Sequence, residues 1–489
     1  MSDNTKRLTI YGLFWNAIER FGNQFIVLLT TVVTAKIMPV KDFAVLPAIL
    51  IYSVVATAIV DSGLATSLVR SKNVEERDYS SMFVFNIILS ISIYLILFFC
   101  APLIEKYSGN DGSRIDGLAT YARVLFIQLI VHSLGIVQYV KLLKAHQFKI
   151  TARINLLSVI LSGTIVIVMT FLGYGLWGLI LQQLLYSTFR TLFLWSWGDW
   201  KPSLLFDFNS IRAHLKFSIS FMVSNVLGKI ITPLYAKLVQ GRFTGLETGF
   251  YDRANKLGET PNMLISSIVQ GTTLSTLSGI QDDVPRYLNA CRKSMQSMAF
   301  ALFPVCLLAI IVVEPTFHFL WHKKWDASII LFQWLCFTGL FISLTDLNVN
   351  FLNIKGRSKI TLYLEILKSV LAIVFFFLTY KEGLLMVVYG QLAVRIICFL
   401  VVTFFSAKVY GYNFSKQFSD IISTFILSVI AGVLAYLPLH FQVVSIDLFL
   451  VIIQSIIFAV VYLFLCHITK NQIWIEVLTL IRSKIAKKA

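Results

Sequence analysis

The chain has 489 residues, of which 57% are hydrophobic and only 14% charged, with a mean hydropathy of +0.78. Soluble domains carry about a quarter charged residues, so this composition excludes a soluble globular protein. A net charge of +17 could serve nucleic-acid binding in a soluble protein, but here Lys and Arg sit between apolar stretches, which excludes that use and points to membrane topology.

About fourteen stretches of roughly 20 to 30 mostly apolar residues are each long enough to cross a hydrocarbon layer of about 30 Å as a helix. They lie near 8–37, 43–69, 80–104, 117–142, 150–172, 176–197, 213–240, 249–280, 286–313, 327–353, 359–380, 384–407, 418–440 and 446–468. The expected fold class is an all-α polytopic membrane protein. The first span carries Asn16, Glu19, Arg20, Asn23 and Gln24 and lacks the short apolar core and small-residue cleavage site of a signal peptide, so it is read as retained. Asn16, Arg20, Asn23, Thr31 and Thr34 recur at helical spacing and form one polar stripe on an apolar rod. The second span contains Asp61-Ser62. The third and the fourteenth are apolar all round and are expected to face lipid. Ser218, Asn225, Lys229 and Thr232 mark the seventh span, and Asp252, Arg253, Lys256, Glu259 and Asn262 the eighth. Beyond the last span, 471–489 reads as a basic amphipathic helix lying on the inner leaflet.

Lys and Arg number roughly 25 in one set of alternating connections and roughly 9 in the other, which places both termini in the cytoplasm. The cytoplasmic set includes Arg70, Lys141, Lys149, Arg292, Lys293, Lys355 and Arg357.

Three short echoes indicate an internal repeat. Ala35-Lys36-Ile37 closes the first span and Ala236-Lys237-Leu238 the seventh. Lys149-Ile150-Thr151 opens the fifth and Lys359-Ile360-Thr361 the eleventh. Gly175-Leu176 with Gln183-Leu184 opens the sixth, and Gly383-Leu384 with Gln391-Leu392 the twelfth. The expected domains are six-helix lobes at 1–200 and 211–410, a terminal pair at 418–468 and the tail at 471–489. An even number of spans per lobe gives repeats related by an axis along the membrane normal, with a cleft between them.

An ionisable group at membrane depth costs about 2.5 kcal/mol or more, so it marks a partner or a wet path. The candidate cleft residues are Arg20, Asn16, Asn23, Asn225, Lys229, Arg253 and Lys256, whose cations suit an anion such as a diphosphate. Candidate ion-coupling acids are Glu19, Asp61, Asp252 and Glu259. Pro47, Pro233 and Pro261 are candidate hinges within these helices. The plainer alternative makes Glu19/Arg20 and Asp252/Lys256 structural ion pairs. Arg190, Arg395, Glu365 and Asp346 also lie in apolar segments, and the two arginines are read as holding their helices in place.

No catalytic constellation is visible, so the chain is expected not to be an enzyme. It has no phosphate-binding glycine loop, and its six cysteines form no CxxC pair and are read as packing residues. His318 and His322 are read as an interfacial pair rather than a metal site, and no cofactor or metal is expected.

The stretches Leu238-Val239-Gln240-Gly241-Arg242-Phe243-Thr244-Gly245, Gly249-Phe250-Tyr251-Asp252-Arg253-Ala254-Asn255-Lys256-Leu257 and Pro261-Asn262-Met263-Leu264 resemble polysaccharide exporters of the O-antigen flippase type. Lys324-Trp325 and Gly356-Arg357-Ser358-Lys359 extend the resemblance over essentially the whole chain. Those exporters belong to the multidrug/oligosaccharidyl-lipid/polysaccharide exporter superfamily. The resemblance implies two lobes in a V-shaped arrangement plus a terminal helix pair. It implies transport of a polyprenyl-diphosphate-linked oligosaccharide across the bacterial inner membrane for lipopolysaccharide, capsule or exopolysaccharide assembly. The implied partners are that lipid-linked substrate, membrane lipid, and the glycosyltransferases and polymerase of the same pathway. Related lipid II flippases use cleft arginines, and Arg20 and Arg253 are the matching cations. Where those flippases have further arginines in the second helix this chain has Asp61, which argues against an all-positive cavity. An ion-coupled drug antiporter of the same superfamily and a membrane-embedded glycan polymerase or acyltransferase are the alternatives.

Overall fold

The computed structural model describes residues 3–61, 75–108, 115–145, 147–203, 207–208, 211, 230–277, 280, 283–441, 446–476 and 478–479. The side chains of 3–14, 16–17, 267–268, 270–276 and 358 are not described. Among the described residues there is no strand.

The helices are α1 (Asp3–Ile37), α2 (Val45–Asp61), α3 (Glu76–Lys106), α4 (Leu118–Lys144), α5 (Phe148–Phe171), α6 (Gly175–Trp197), α7 (described over 230–240), α8 (Gly245–Leu277), α9 (Val284–Trp321), α10 (Asp326–Ile354), α11 (Ser358–Thr379), α12 (Leu384–Tyr410), α13 (Phe414–His440) and α14 (Asp447–Ile468). Each expected span corresponds to one of them. The end of the second span and most of the seventh fall outside the described residues.

Capping sets several boundaries. Asp283 Oδ1 accepts from Arg286 N at 3.1 Å to open α9, and Asn413 Oδ1 accepts from Lys416 N at 3.1 Å to open α13. Thr244 and Glu247 exchange hydrogen bonds as a capping box at the head of α8. Gly411, at φ 77°, supplies the left-handed residue that ends α12.

Pro47 lies in the first turn of α2, because a 3₁₀ turn (Val40–Ala44) precedes that helix. Proline there removes no intrahelical bond, so it is a helix-start residue and not the hinge expected from its place inside the span. Pro261 is interior to α8, as expected.

Nine described stretches are long and apolar enough to cross a membrane, one of which, Val284–Ile354, contains both α9 and α10. α1, α6 and α8 and the described part of α7 fall outside this set; α1 and α8 carry polar stripes, and α6 holds Gln182, Gln183 and Arg190. The lipid-facing expectation holds: only 17% of the most apolar window of α3 and 22% of that of α14 are buried. The window of α11 is equally open at 17%, which its sequence did not suggest.

The chain divides into two compact units, Met1–Asp252 and Arg253–Ala489, with the division inside α8. In the first unit α3 packs on α4, α4 on α6, α5 on α6, and α1 on α5. Three of these pairings recur six helices later in the second unit: α9 packs on α10, α10 on α12 and α11 on α12. The terminal pair α13–α14 docks on α9 through Leu427, Ala431, Phe458 and Tyr462, against Phe300, Leu307 and Ile311. Tyr462 OH donates to Phe300 O at 3.0 Å. Trp474 joins that core, and Lys293 pairs with Glu476 at 2.7 Å, so the start of the tail is held against the second unit. Most of the expected amphipathic tail lies outside the described residues.

Candidate functional site: polar nodes at membrane depth

In the first unit, α1 approaches α5 closely because glycine lies at the contact. A Cβ on Gly22 would stand 2.4 Å from Leu156 Cδ2, and one on Gly163 2.9 Å from Thr30 Oγ1. That approach brings Glu19, midway along α1, to Asn155 of α5. Asn155 Nδ2 donates to Glu19 Oε1 at 2.7 Å, and Asn155 Oδ1 accepts from Arg190 Nε of α6 at 3.0 Å. The Arg190 guanidinium lies 4.4 Å from the Tyr139 ring centroid of α4. One amide therefore links an acid to a base, and the cation is backed by an aromatic face. Four helices meet in this node.

Asp61 at the end of α2 is hydrogen-bonded to His132 Nε2 of α4 at 2.9 Å. It is half-buried, with a titratable partner that sequence reasoning did not single out. Arg20 is exposed, next to Glu19 in the chain but not turned with it. Asn23 is half-buried, and its Oδ1 is enclosed with no hydrogen-bond partner among the described residues. Asp252 is buried at the close of the first unit. The side chain of Asn16, and Asn225 and Lys229 altogether, lie outside what is described.

In the second unit Arg253 is 2% exposed, with its guanidinium 5.7 Å from the ring centroid of Trp325, itself fully buried. Lys256 is half-buried, and Glu259 accepts from Asn255 Nδ2 at 3.1 Å. Asn262 donates to Gly258 O at 3.1 Å and faces Gly339 of α10, where a Cβ would fall 1.8 Å from its Nδ2. Arg253 and Asn262 are thus tightly packed, whereas Lys256 and Glu259 retain some exposure.

A second charged node lies in this unit. Asp346 of α10, Glu365 and Lys368 of α11 and Arg395 of α12 line a void of about 20 Å³, room for about one water. Lys368 pairs with Glu365. Glu365 follows Lys359-Ile360-Thr361 at the same distance as Asn155 follows Lys149-Ile150-Thr151. Asn155 and Glu365 therefore stand at the same offset from the two sequence echoes, whereas Arg190 and Arg395 follow Gln183 and Gln391 at different distances. The helices of the two nodes correspond: α4, α5 and α6 in the first, α10, α11 and α12 in the second. Among the described residues no group of His, Cys, Asp and Glu is placed to hold a metal ion. His318 Nε2 instead meets Asp326 Oδ1 at 3.2 Å.

The chain is similar to known proteins over nearly its whole length. It is 21% identical to the teichuronic acid biosynthesis protein TuaB of Bacillus subtilis, with 89% of this chain and 90% of that protein aligned. It is 25% identical to the lipopolysaccharide biosynthesis protein WzxC of Escherichia coli, over 88% and 87%. Its fold matches the lipid II flippase MurJ in an inward closed conformation, with TM-score 0.76, 18% identity and coverage of 93% of this chain and 98% of that one. It also matches an inward-facing multidrug-resistance MATE transporter of the MOP superfamily, with TM-score 0.64, 15% identity and coverage of 79% and 95%. Residues 33–330 match the profile of the family described as polysaccharide biosynthesis protein. With that match spanning more than half of a multi-pass helical chain whose fold is that of the flippases and exporters, the protein belongs to the polysaccharide biosynthesis protein family.

Proposed function

We propose that this protein moves a polyprenyl-diphosphate-linked oligosaccharide from the cytoplasmic to the periplasmic leaflet of the bacterial inner membrane, by alternating access. The product enters lipopolysaccharide, capsule or exopolysaccharide assembly. The observation that carries this reading is the near full-length similarity to proteins named for teichuronic acid and lipopolysaccharide biosynthesis, combined with the fold of a lipid II flippase. A glycan diphosphate cannot enter hydrocarbon unaided, while its lipid tail can remain there, so the protein's task is to shelter charge and sugar. Arg20, which is exposed, and Lys256, which is half-buried, are the proposed cations for the diphosphate, and Arg253, packed on Trp325, is a further candidate. Asn16, Asn23, Asn225 and Lys229 complete the proposed path. Glu19, Asp61, Asp252 and Glu259 are the proposed ion-coupling acids. Both termini are assigned to the cytoplasm from the excess of basic connections on that side. The glycosyltransferases and polymerase of the pathway are the proposed partners.

The test is leaflet assignment of a labelled polyprenyl-diphosphate glycan in cells or vesicles, comparing the intact protein with Arg20→Ala and Arg253→Ala variants that still reach the membrane. Glycan retained on the cytoplasmic leaflet in the variants supports the reading. Unchanged flipping in cells lacking the protein rejects it and directs attention to drug export.

A further inference from the structure

Where α9 and α13 begin and α14 ends, the second unit contains a cavity of about 570 Å³ lined by polar residues of all three segments. Arg292, Lys293 and Lys470 stand in its wall with one acid, Asp420, and Lys293 is paired with Glu476 at 2.7 Å. That acid is already occupied: Arg292 Nε and Nη2 donate to it at 2.8 and 2.7 Å, Gln296 Nε2 at 2.9 Å and Tyr412 OH at 3.1 Å. The pairing uses one edge of the guanidinium and leaves the Nη1 hydrogens without a protein acceptor among the described residues. Lys470 is exposed, has no ion pair among the described residues, and is held at φ 50° just past α14. Ser423 and Asn471 add neutral donors to the wall. The cavity thus offers the positive charge of Lys470 and open hydrogen-bond donors, while Arg292 and Lys293 are each balanced by an acid among the described residues.

The surroundings are apolar and open. Phe464 and Ile468 on the outer face of α14 are 61% and 58% exposed, and Phe414 and Phe418 on α13 stack at 5.7 Å with 48% exposure each. A polar, cationic cavity bordered by exposed apolar side chains matches an amphiphile, with its charge in the cavity and its chains along the helices. Basic pockets between transmembrane helices recognise acidic headgroups by this combination.

We propose that this cavity binds the phosphate of an anionic phospholipid. Arg292 Nη1, Lys470 Nζ and the Ser423 hydroxyl are its donors, and the α13–α14 surface takes the acyl chains. The proposal is independent of the transported substrate, so a protein that fails the translocation assay should still bind such a lipid here.

Native mass spectrometry of the full-length protein in detergent, titrated with phosphatidylglycerol or phosphatidylethanolamine, tests it. The intact protein should retain phosphatidylglycerol preferentially. Lys470→Gln should weaken that binding about fivefold, the amount expected for one surface cation. Ser423→Phe, which removes a proposed donor and narrows the cavity without altering charge, should abolish the preference. Both positions are exposed, so both variants should fold. Equal retention of the two lipids, or binding unaltered in both variants, overturns the proposal. Displacement of phosphatidylglycerol by excess inorganic phosphate would overturn the lipid assignment and give the cavity to a soluble phosphate compound.

Discussion

Glu19 and Asn155 lie 136 positions apart in the chain and are joined by a hydrogen bond of 2.7 Å, through an amide whose oxygen accepts from Arg190. The acid and the base therefore share a neutral bridge, each bonded to one end of the same amide. This is the arrangement expected of a coupling element between helices, and it is open to direct test.

Asn155→Leu removes both hydrogen bonds and leaves two ionisable groups facing an apolar side chain. Each lost bond to a charged group is expected to cost about 1.5 to 3 kcal/mol. The thermal midpoint in detergent should fall, and glycan translocation should fall further than stability alone explains. Asn155→Gln, which keeps the amide, should recover part of both. Translocation at the wild-type level in Asn155→Leu would show the bridge to be dispensable.

Gly339→Ala should destabilise the second unit by about 1 to 3 kcal/mol, as overpacking does, because the new methyl would coincide with Asn262 Nδ2. Asn262 cannot swing away cheaply, being bound to Gly258 O. Asn262→Ala in the same chain should restore part of the loss, giving a coupling energy in a double-mutant cycle. Strictly additive midpoints would mean that the side chain is not the obstacle.

Asp420→Ala should be among the most damaging single changes outside the first unit. It leaves Arg292, Gln296 and Tyr412 without their common acceptor and loosens α13 from α9. A loss on the order of 3 kcal/mol is expected, below the upper range for buried pairs because Arg292 is partly solvated. Asp420→Asn, which keeps a carbonyl acceptor, should cost less. The check is the thermal midpoint of each purified variant.

Tyr412 lies in the connection between α12 and α13, and its phenol is pushed up from the ordinary value of about 10 by burial, then by the Asp420 charge and the hydrogen bond it donates there. A raised pKa means that its contribution to stability is complete below about pH 10 and declines above it, as the unfolded chain ionises first. Tyr412→Phe should therefore destabilise by about 1 kcal/mol at neutral pH. The gap between variant and wild type should narrow as melting is followed upward past pH 10. A gap constant with pH would contradict the assignment of the proton to Tyr412.

The candidate site was legible in the sequence by kind more than by partner. Glu19 and Arg20 suggested an ion pair because they are adjacent, yet neighbouring residues on a helix point to different sides. Glu19 turns to α5, whereas Arg20 is exposed. Asp61 was evident as an acid within an apolar span, but His132 became its partner only when α2 packed on α4. Arg190 was noticed as an arginine in an apolar stretch, and its role rests on Asn155 and Tyr139, which attracted no notice alone.

The sequence by itself determined which stretches are long and apolar enough to cross a membrane as helices, and which ionisable residues lie within those stretches. Those properties depend on hydropathy and spacing along one strand of chain, which are local. The tertiary structure decided which charges meet, which glycines admit a neighbouring helix, and that α13 and α14 are anchored to α9 through Asp420 and Tyr462. These depend on the rotation and axial register of one helix against another. A hydropathy pattern fixes neither, because each apolar helix offers several faces that could pack equally well until the polar side chains select one.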